Sequence, residues 1–306
     1  MGVIPRIDLF IITKLIVSMI FLILSSIFYA LNNLFWKRTL SEFNLWIVVG
    51  LRSILTSITG IIIILFFYSE AIQTINDTIL TSIICASILG ALGLICMISA
   101  LKKGSLSQLG VFNLITIFFI ASYLFIFENI LVQNYTIAAL FIIIGFLCYL
   151  FQIKNNINKR YSSRQLVLFT MMSFSFAGSS LLHWYNLKQD IPAVISVSIQ
   201  ESVVFLSVLL LVVVKPTLLP QNGYFQIKKV VNPVVLMSVI IFAAVWTGFL
   251  GLQSTNPLIS SLISLVTPML TILFGVLFYK DQWNYFSLLA LLFIASGVYL
   301  INLEII

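Results

Sequence analysis

Two charged residues lie deep inside otherwise apolar stretches of the sequence. Arg52 comes about eight residues into the stretch 45–68, roughly 12 Å along a helix, and Glu201 comes about nine residues into the stretch 192–214. A charge within hydrocarbon costs about 2.5–3.5 kcal/mol on insertion scales, so each needs a reason. Arg52 either anchors a carboxylate or phosphate group of a ligand, or it snorkels to the loop side or bonds to nearby carbonyl groups. Glu201 either serves proton coupling or a cationic ligand, or is a neutral or paired structural carboxyl.

Polar side chains recur at helical spacing in three apolar stretches. In each stretch the residues are three or four positions apart, which places them on one helix face. The sets are Ser25, Tyr29, Asn32 and Trp36, with Asn33 beside them; Gln108, Phe112 and Thr116; and Ser260, Ser264, Thr267 and Thr271. Such faces indicate a shared wet interior, or helix contacts in which small hydroxyl residues allow close approach.

Aromatic residues and one proline could shape that interior. Trp36 and Trp184 suit either a belt at the membrane interface or aromatic walls for a cationic ligand, whereas Trp246 lies mid-stretch and suits a wall. His183 is the one histidine of the chain and predicts a hydrogen-bonding role. Pro268 predicts a kink in its helix, because it removes an internal hydrogen bond. The kink suits a moving gate, although prolines also occur in static membrane helices.

Composition places the chain in the membrane. Of its 306 residues, 61% are hydrophobic and 8% are charged, with a mean hydropathy of +1.16, whereas soluble domains carry about 25% charged residues. The net charge of +7 does not predict a nucleic-acid partner, because the basic residues occupy short gaps between apolar runs. No phosphate loop or metal-ligand cluster is present, and the three cysteines stand apart within apolar runs. We therefore expect no metal or other cofactor.

The apolar runs predict ten membrane-spanning helices, an all-α fold. Each run is close to the ~20 residues that cross the hydrocarbon. Continuous rather than alternating hydrophobicity excludes strands for most of the chain. The predicted spans are 15–35, 45–68, 79–101, 106–126, 136–152, 165–186, 192–214, 231–252, 257–278 and 284–302.

The two halves of the sequence resemble each other. Phe28–Trp36 aligns with Phe176–Trp184, Glu128 with Lys280, and Gly145 with Gly297. This predicts two repeats of five helices, residues 1–153 and 154–306. Because five is an odd number of crossings, the second repeat would be inverted, with a substrate path at the repeat interface.

Basic residues predict the orientation. Most of them lie in the loops after the odd-numbered spans, and the other side has only Arg6, Lys14 and Lys188. By the positive-inside rule, those odd loops are cytoplasmic and both termini lie outside, as expected in a bacterial cytoplasmic membrane.

Three sequence stretches resemble the drug/metabolite transporter superfamily, in particular its ten-helix EamA-type members. They are Asn32–Lys37 followed by Arg52, Ala100–Ser105 followed by Glu128, and Asn256–Ile301 with Pro268, Lys280-Asp281 and Gly297. The resemblance implies a transporter of small solutes, often an exporter of amino acids or related metabolites. It also implies a cavity lined by spans 1, 3, 4, 6, 8 and 9.

The favoured hypothesis is a secondary transporter that moves a small polar metabolite by alternating access. Its partners would be that solute, protons as a coupling ion, the lipid bilayer and a second copy of the chain. A lipid flippase or a membrane assembly protein is the alternative, since the same fold could open sideways to lipid. A membrane enzyme would need clustered acidic or histidine residues, and the nine acidic residues are mostly dispersed, so we expect no enzyme.

Overall fold

The residues that the computed structural model describes are almost all helical, with short turns between the helices. Those residues are 9–73, 75–101, 106–128, 136–154, 163–220 and 223–279, together with 285, 289, 292–297 and 299–300. The long helices are α1 (Leu9–Glu42), α2 (Leu45–Phe67), α3 (Asp77–Leu101), α4 (Leu106–Phe127), α5 (Thr136–Lys154), α6 (Ser163–Leu187), α7 (Ala193–Val214) and α8 (Gly223–Ser254). Two shorter helices, α9a (Pro257–Ser264) and α9b (Val266–Tyr279), follow them.

Six helices of the described chain are long and apolar enough to cross a membrane. They cover Ile16–Trp36, Leu45–Phe67, Asp77–Ala100, Ser163–Leu187, Ala193–Val214 and Val230–Ser254, and two shorter apolar helices cover Ile115–Phe127 and Thr136–Cys148. The first nine predicted spans all fall on helices of the structure. Most of the tenth, 284–302, lies outside the described residues.

Large apolar side chains on the outward faces of the helices meet no protein. Phe66 and Phe67 at the end of α2 are each 78% exposed, and Phe127 of α4 and Val214 of α7 are each 66% exposed. A soluble protein rarely leaves such side chains in contiguous patches. Their exposure at helix surfaces is what a lipid solvent permits, and it agrees with the membrane assignment.

Asparagine caps set two of the tight connections between helices. Asn44 accepts hydrogen bonds from the backbone N–H groups of Trp46 and Ile47 at the start of α2. Asn256 accepts one from Ile259 at the start of α9a, where Pro257 occupies the first turn. Both satisfy amide groups that a helix start leaves without partners.

The ninth predicted span is broken into two helices at Leu265. The break follows from Pro268, because its nitrogen carries no hydrogen for the carbonyl oxygen of Ser264, four residues earlier. The backbone N–H of Leu265 bonds instead to the carbonyl of Leu262 at 3.2 Å, which tightens the last turn of α9a. The predicted kink is therefore a short interruption of the helix.

Helices from the two halves of the chain interleave. α1 packs against α8, α3 packs against α6, and α2 packs against α7. α8 also contacts α2 and α7, and α3 also contacts α7. Close approach relies on glycine: a Cβ at Gly93 of α3 would lie 2.7 Å from the ring of Phe176 on α6. This arrangement brings the middle of α2 and α7 to the centre of the helix bundle.

Gly251→Ala is expected to lower the free energy of unfolding by about 1–3 kcal/mol, as overpacked cores do. The added Cβ would lie 2.6 Å from Cγ of Leu22 and 2.9 Å from the backbone oxygen of Ser18, so α1 and α8 would have to separate. Gly50→Ala is the matched control, because its Cβ would lie 3.5 Å from Val208, an ordinary contact. Thermal unfolding of both purified variants in detergent measures the effect. Equal Tm values for the two would contradict this packing account.

Candidate functional site

The two intramembrane charges form an ion pair where α2 crosses α7. Nη2 of Arg52 lies 3.0 Å from Oε2 and 3.4 Å from Oε1 of Glu201. The side chains are 4% and 3% exposed, so the pair is buried within protein. Of the sequence-based interpretations, snorkelling of Arg52 to a loop is wrong. The structure brings together the arginine and the carboxylate that the sequence placed in separate helices.

Hydroxyl groups of three helices fix the backbone around this ion pair. The hydroxyls of Ser57 on α2 and Ser202 on α7 lie 2.6 Å apart, in hydrogen-bond contact. Ser238 of α8 donates to the carbonyl oxygen of Arg52 at 3.2 Å, and Thr56 donates to the same oxygen at 2.8 Å. The ion pair is thus held at a defined junction of α2, α7 and α8.

The polar face of α1 approaches the ion pair. Tyr29 is half-buried and interacts electrostatically with both Arg52 and Glu201. Asn32, one turn further along, is 3% exposed, and its Oδ1 has no hydrogen-bond partner among the described residues. Nε of Arg52 is likewise buried without a partner. Buried polar atoms are nearly always hydrogen-bonded in native proteins, so these atoms are candidate contacts for a ligand or water.

Aromatic rings of α8 pack in the same region as Tyr29 of α1. Trp246 and Phe249 are half-buried and pack in one apolar cluster with Tyr29 of α1. The ring of Trp246 lies 5.4 Å from that of Phe242, measured between centroids. Asn33 and Trp36, also predicted as site residues, are half-buried at the far end of the α1 face. Trp36 packs against two other apolar clusters there, which bridge α1, α2 and neighbouring helices.

A second set of buried polar side chains lies around His183 of α6. The sequence predicted a hydrogen-bonding role for His183 but did not include it among the site residues. His183 is 1% exposed, and its ring lies 4.6 Å from that of Phe249, measured between centroids. Its polar neighbour is Gln200 of α7, the residue before Glu201. Asn186 follows His183 by three positions and is also 1% exposed. That spacing on one helix face was the signal available in the sequence.

The end of α6 is tied down by aromatic contacts. Nε1 of Trp184 donates to the carbonyl oxygen of Thr255 at 2.9 Å, and Nζ of Lys188 lies 3.6 Å from the centre of the Trp184 ring. Trp184 is 2% exposed, so it is a packed residue and not an exposed belt anchor. Tyr185 donates a hydrogen bond to Glu128 of α4, and its hydroxyl lies 3.2 Å from that of Tyr123.

Two predicted site residues, Phe112 and Ser264, make contacts away from the ion pair. Phe112 is buried against Phe169, with ring centroids 5.0 Å apart, and fills the contact between α4 and α6. Ser264 is exposed, and its hydroxyl donates to the Ser261 carbonyl within its own helix at 2.6 Å. The side chains of Gln108 and Pro268 lie outside the described residues.

Among the described residues, no group of three or more histidine, cysteine, aspartate or glutamate side chains comes together. Cys85, Cys96 and Cys148 are free thiols. The chemistry available at the junction is recognition of charge and hydrogen-bonding groups.

Comparison with known proteins agrees with the helical fold. Residues 16–152 match the model of the EamA-like transporter family. A solved structure, described only as the crystal structure of a protein, shares 15% sequence identity, with a TM-score of 0.72 over 95% of this chain and 96% of that chain. No curated protein matches. The chain is therefore a multi-pass membrane protein whose residues 16–152 are similar to the EamA-like transporter family, the resemblance that its motifs indicated.

Proposed function

We propose that the chain is a secondary transporter, an exporter or exchanger, of a small amphoteric metabolite such as an amino acid. The observation that carries the proposal is the buried pair of Arg52 and Glu201 beside unpartnered polar atoms. A solute with a carboxylate and an ammonium group offers a counter-charge to each member of the pair. The planar guanidinium of Arg52 suits a carboxylate, because its N–H groups match both oxygens.

The energetics of buried ion pairs favour a transport role over a purely structural one. Removing two charges from water costs several kcal/mol per ion, and replacement of such pairs by apolar residues is often neutral or stabilising. A purely structural contact between α2 and α7 could therefore be apolar. An ion pair at this depth is better explained by a solute or proton that exchanges with one of its members.

Alternating access would arise from the two five-helix repeats, residues 1–153 and 154–306, inverted relative to each other. The helix contacts support this proposal, because exchanging the repeats turns the α1–α8 contact into the α6–α3 contact. Exchanging the repeats also relates two side-chain hydrogen bonds, one between α1 and α9a and one between α6 and α4. Ser26 of α1 donates to the carbonyl of Ile263 on α9a, and Ser173 of α6 donates to that of Phe112 on α4. Inverted repeats place substrates at their interface near the midplane.

The remaining site residues have supporting roles in this proposal. Asn32 and Asn33 would hydrogen-bond the solute, as Gln108 would from α4. The aromatic side chains of Tyr29, Trp36 and Trp246 would line the solute site. The interruption of the helix before Pro268 supplies a joint about which α9a and α9b can bend, since a broken hydrogen-bond ladder marks a flexible point in a helix. Glu201 would bind and release the coupling proton.

Glu201→Gln is expected to abolish the response of solute flux to a pH gradient. The amide retains an acceptor oxygen for Arg52 but has no titratable proton, so binding can persist while coupling is lost. Flux of labelled amino acids into proteoliposomes, with and without a pH gradient, measures this response, and vesicles carrying fluorescent lipid reporters test for flippase activity.

Glu70→Gln is the matched control for that experiment, because Glu70 is exposed in a short helix after α2 and lies outside the ion pair. Its flux should respond to the pH gradient as the wild type does. A full response in Glu201→Gln would remove Glu201 from proton coupling. Lipid scrambling without amino-acid flux in the wild type would overturn the proposed function.

A further inference from the structure

Buried polar groups on α6 and α7 are not used by the ion pair or by the α1 face. Both ring nitrogens of His183, Nδ2 of Asn186 and Oγ of Ser196 have no hydrogen-bond partner among the described residues. All three side chains are at most 1% exposed. Gln200 of α7 approaches the His183 ring without a hydrogen bond of normal geometry, so the donor and acceptor nitrogens of the neutral imidazole remain available to a ligand.

Each of these unpartnered groups lowers the stability of the folded protein. A buried donor or acceptor without a partner costs about 1–3 kcal/mol, and native proteins contain only a few such groups per hundred residues. Four such atoms lie in the successive helices α6 and α7, and we take them as candidate contacts for water or a ligand. A polar site with two to four partner groups can hold water or a polar ligand.

The position of His183 joins this group to the proposed solute site. Its ring packs on Phe249, which lies three positions after Trp246 on α8, so both rings share one face of that helix. Trp246, Phe249 and Tyr29 belong to one apolar cluster. Gln200, the polar neighbour of His183, directly precedes Glu201 in α7. Phe249 thus links His183 to the apolar cluster that also includes Tyr29, and α7 contributes Gln200 to one polar set and Glu201 to the other.

We infer that His183, Asn186 and Gln200 form a second, uncharged subsite that binds the hydrogen-bonding side-chain group of the solute. The inference rests on the proposed function, in which Arg52 and Glu201 bind the carboxylate and ammonium groups. Imidazole and amide groups offer both donors and acceptors, which matches a neutral amide or hydroxyl group. The solute class is therefore an amino acid with a neutral polar side chain, such as glutamine, in preference to one with an apolar side chain of equal size.

Proteoliposome flux of glutamine and of methionine, two solutes of similar length, tests the subsite. In the wild type, kcat/KM should be higher for glutamine. His183→Phe keeps an aromatic ring against Phe249 but removes both hydrogen-bonding nitrogens. It should lower kcat/KM for glutamine about tenfold relative to methionine, the loss expected for one or two neutral hydrogen bonds. Asn186→Leu should shift the ratio in the same direction.

His183→Gln is the conservative variant, because its amide again supplies a donor and an acceptor, and it should restore most of the preference for glutamine. Thermal unfolding of each purified variant establishes that it is folded. Equal losses for both solutes, or an unchanged ratio in His183→Phe and Asn186→Leu, would overturn the subsite and leave the ion-pair site standing. Absence of flux for both solutes through the wild type would overturn the proposed function and the subsite together.

Discussion

Arg52→Gln is expected to lower the free energy of unfolding by about 3–5 kcal/mol and to abolish solute transport. The stability loss arises because Glu201, 3% exposed, would be left as a buried charge without its guanidinium partner. Transport would stop because the shorter neutral amide cannot hold a carboxylate with two charge-assisted hydrogen bonds. Chemical or thermal unfolding in detergent, together with proteoliposome flux, measures the two effects separately.

The double variant Arg52→Gln/Glu201→Gln separates structure from function. With both charges removed, the side-chain amides can hydrogen-bond each other across α2 and α7, so most of the lost stability should return. Transport should remain absent, since neither charge-recognising group is present. The exchanged pair Arg52→Glu/Glu201→Arg is a second control, because it keeps the ion pair and reverses its polarity. An Arg52→Gln protein as stable and as active as the wild type would contradict this account of the ion pair.

Helical periodicity and apolar length were enough to predict most of the fold. Nine of the ten predicted spans fall on helices, because runs of about 20 apolar residues have few alternatives in a bilayer. The sequence also predicted that Pro268 disturbs its helix. In any helix, a proline leaves the carbonyl oxygen four residues earlier without its N–H partner. Its result, a separate α9b that begins at Val266, depends on how the freed Ser264 carbonyl is accommodated, and a sequence does not carry that information.

The site was predictable only in part. The sequence placed Arg52 and Glu201 each deep in an apolar stretch, but it could not show that the α2–α7 crossing brings their side chains to 3.0 Å. Ser264 satisfies the polar spacing of the ninth span and is nevertheless exposed, because spacing identifies a face without identifying its neighbour. His183 was underestimated because a lone histidine has no motif. Its importance comes from Phe249 and Gln200, which belong to other helices.

Two-sided labelling of Asn32→Cys tests whether the buried polar site opens to both faces of the membrane. The variant is made with Cys85, Cys96 and Cys148 replaced by alanine, so that one thiol remains. Asn32 is 3% exposed in the structure, so reaction with a membrane-impermeant maleimide requires a route through the interior. Ile61→Cys is the matched control, because residue 61 lies on the lipid-facing side of α2 and is 44% exposed.

The account predicts that Asn32→Cys reacts with the impermeant reagent added to either side of sealed vesicles, that glutamine slows both reactions, and that Ile61→Cys reacts from neither side. An Asn32→Cys variant whose thiol stays as unreactive as the lipid-facing control, or reacts from one side alone under all conditions, would contradict alternating access to this site.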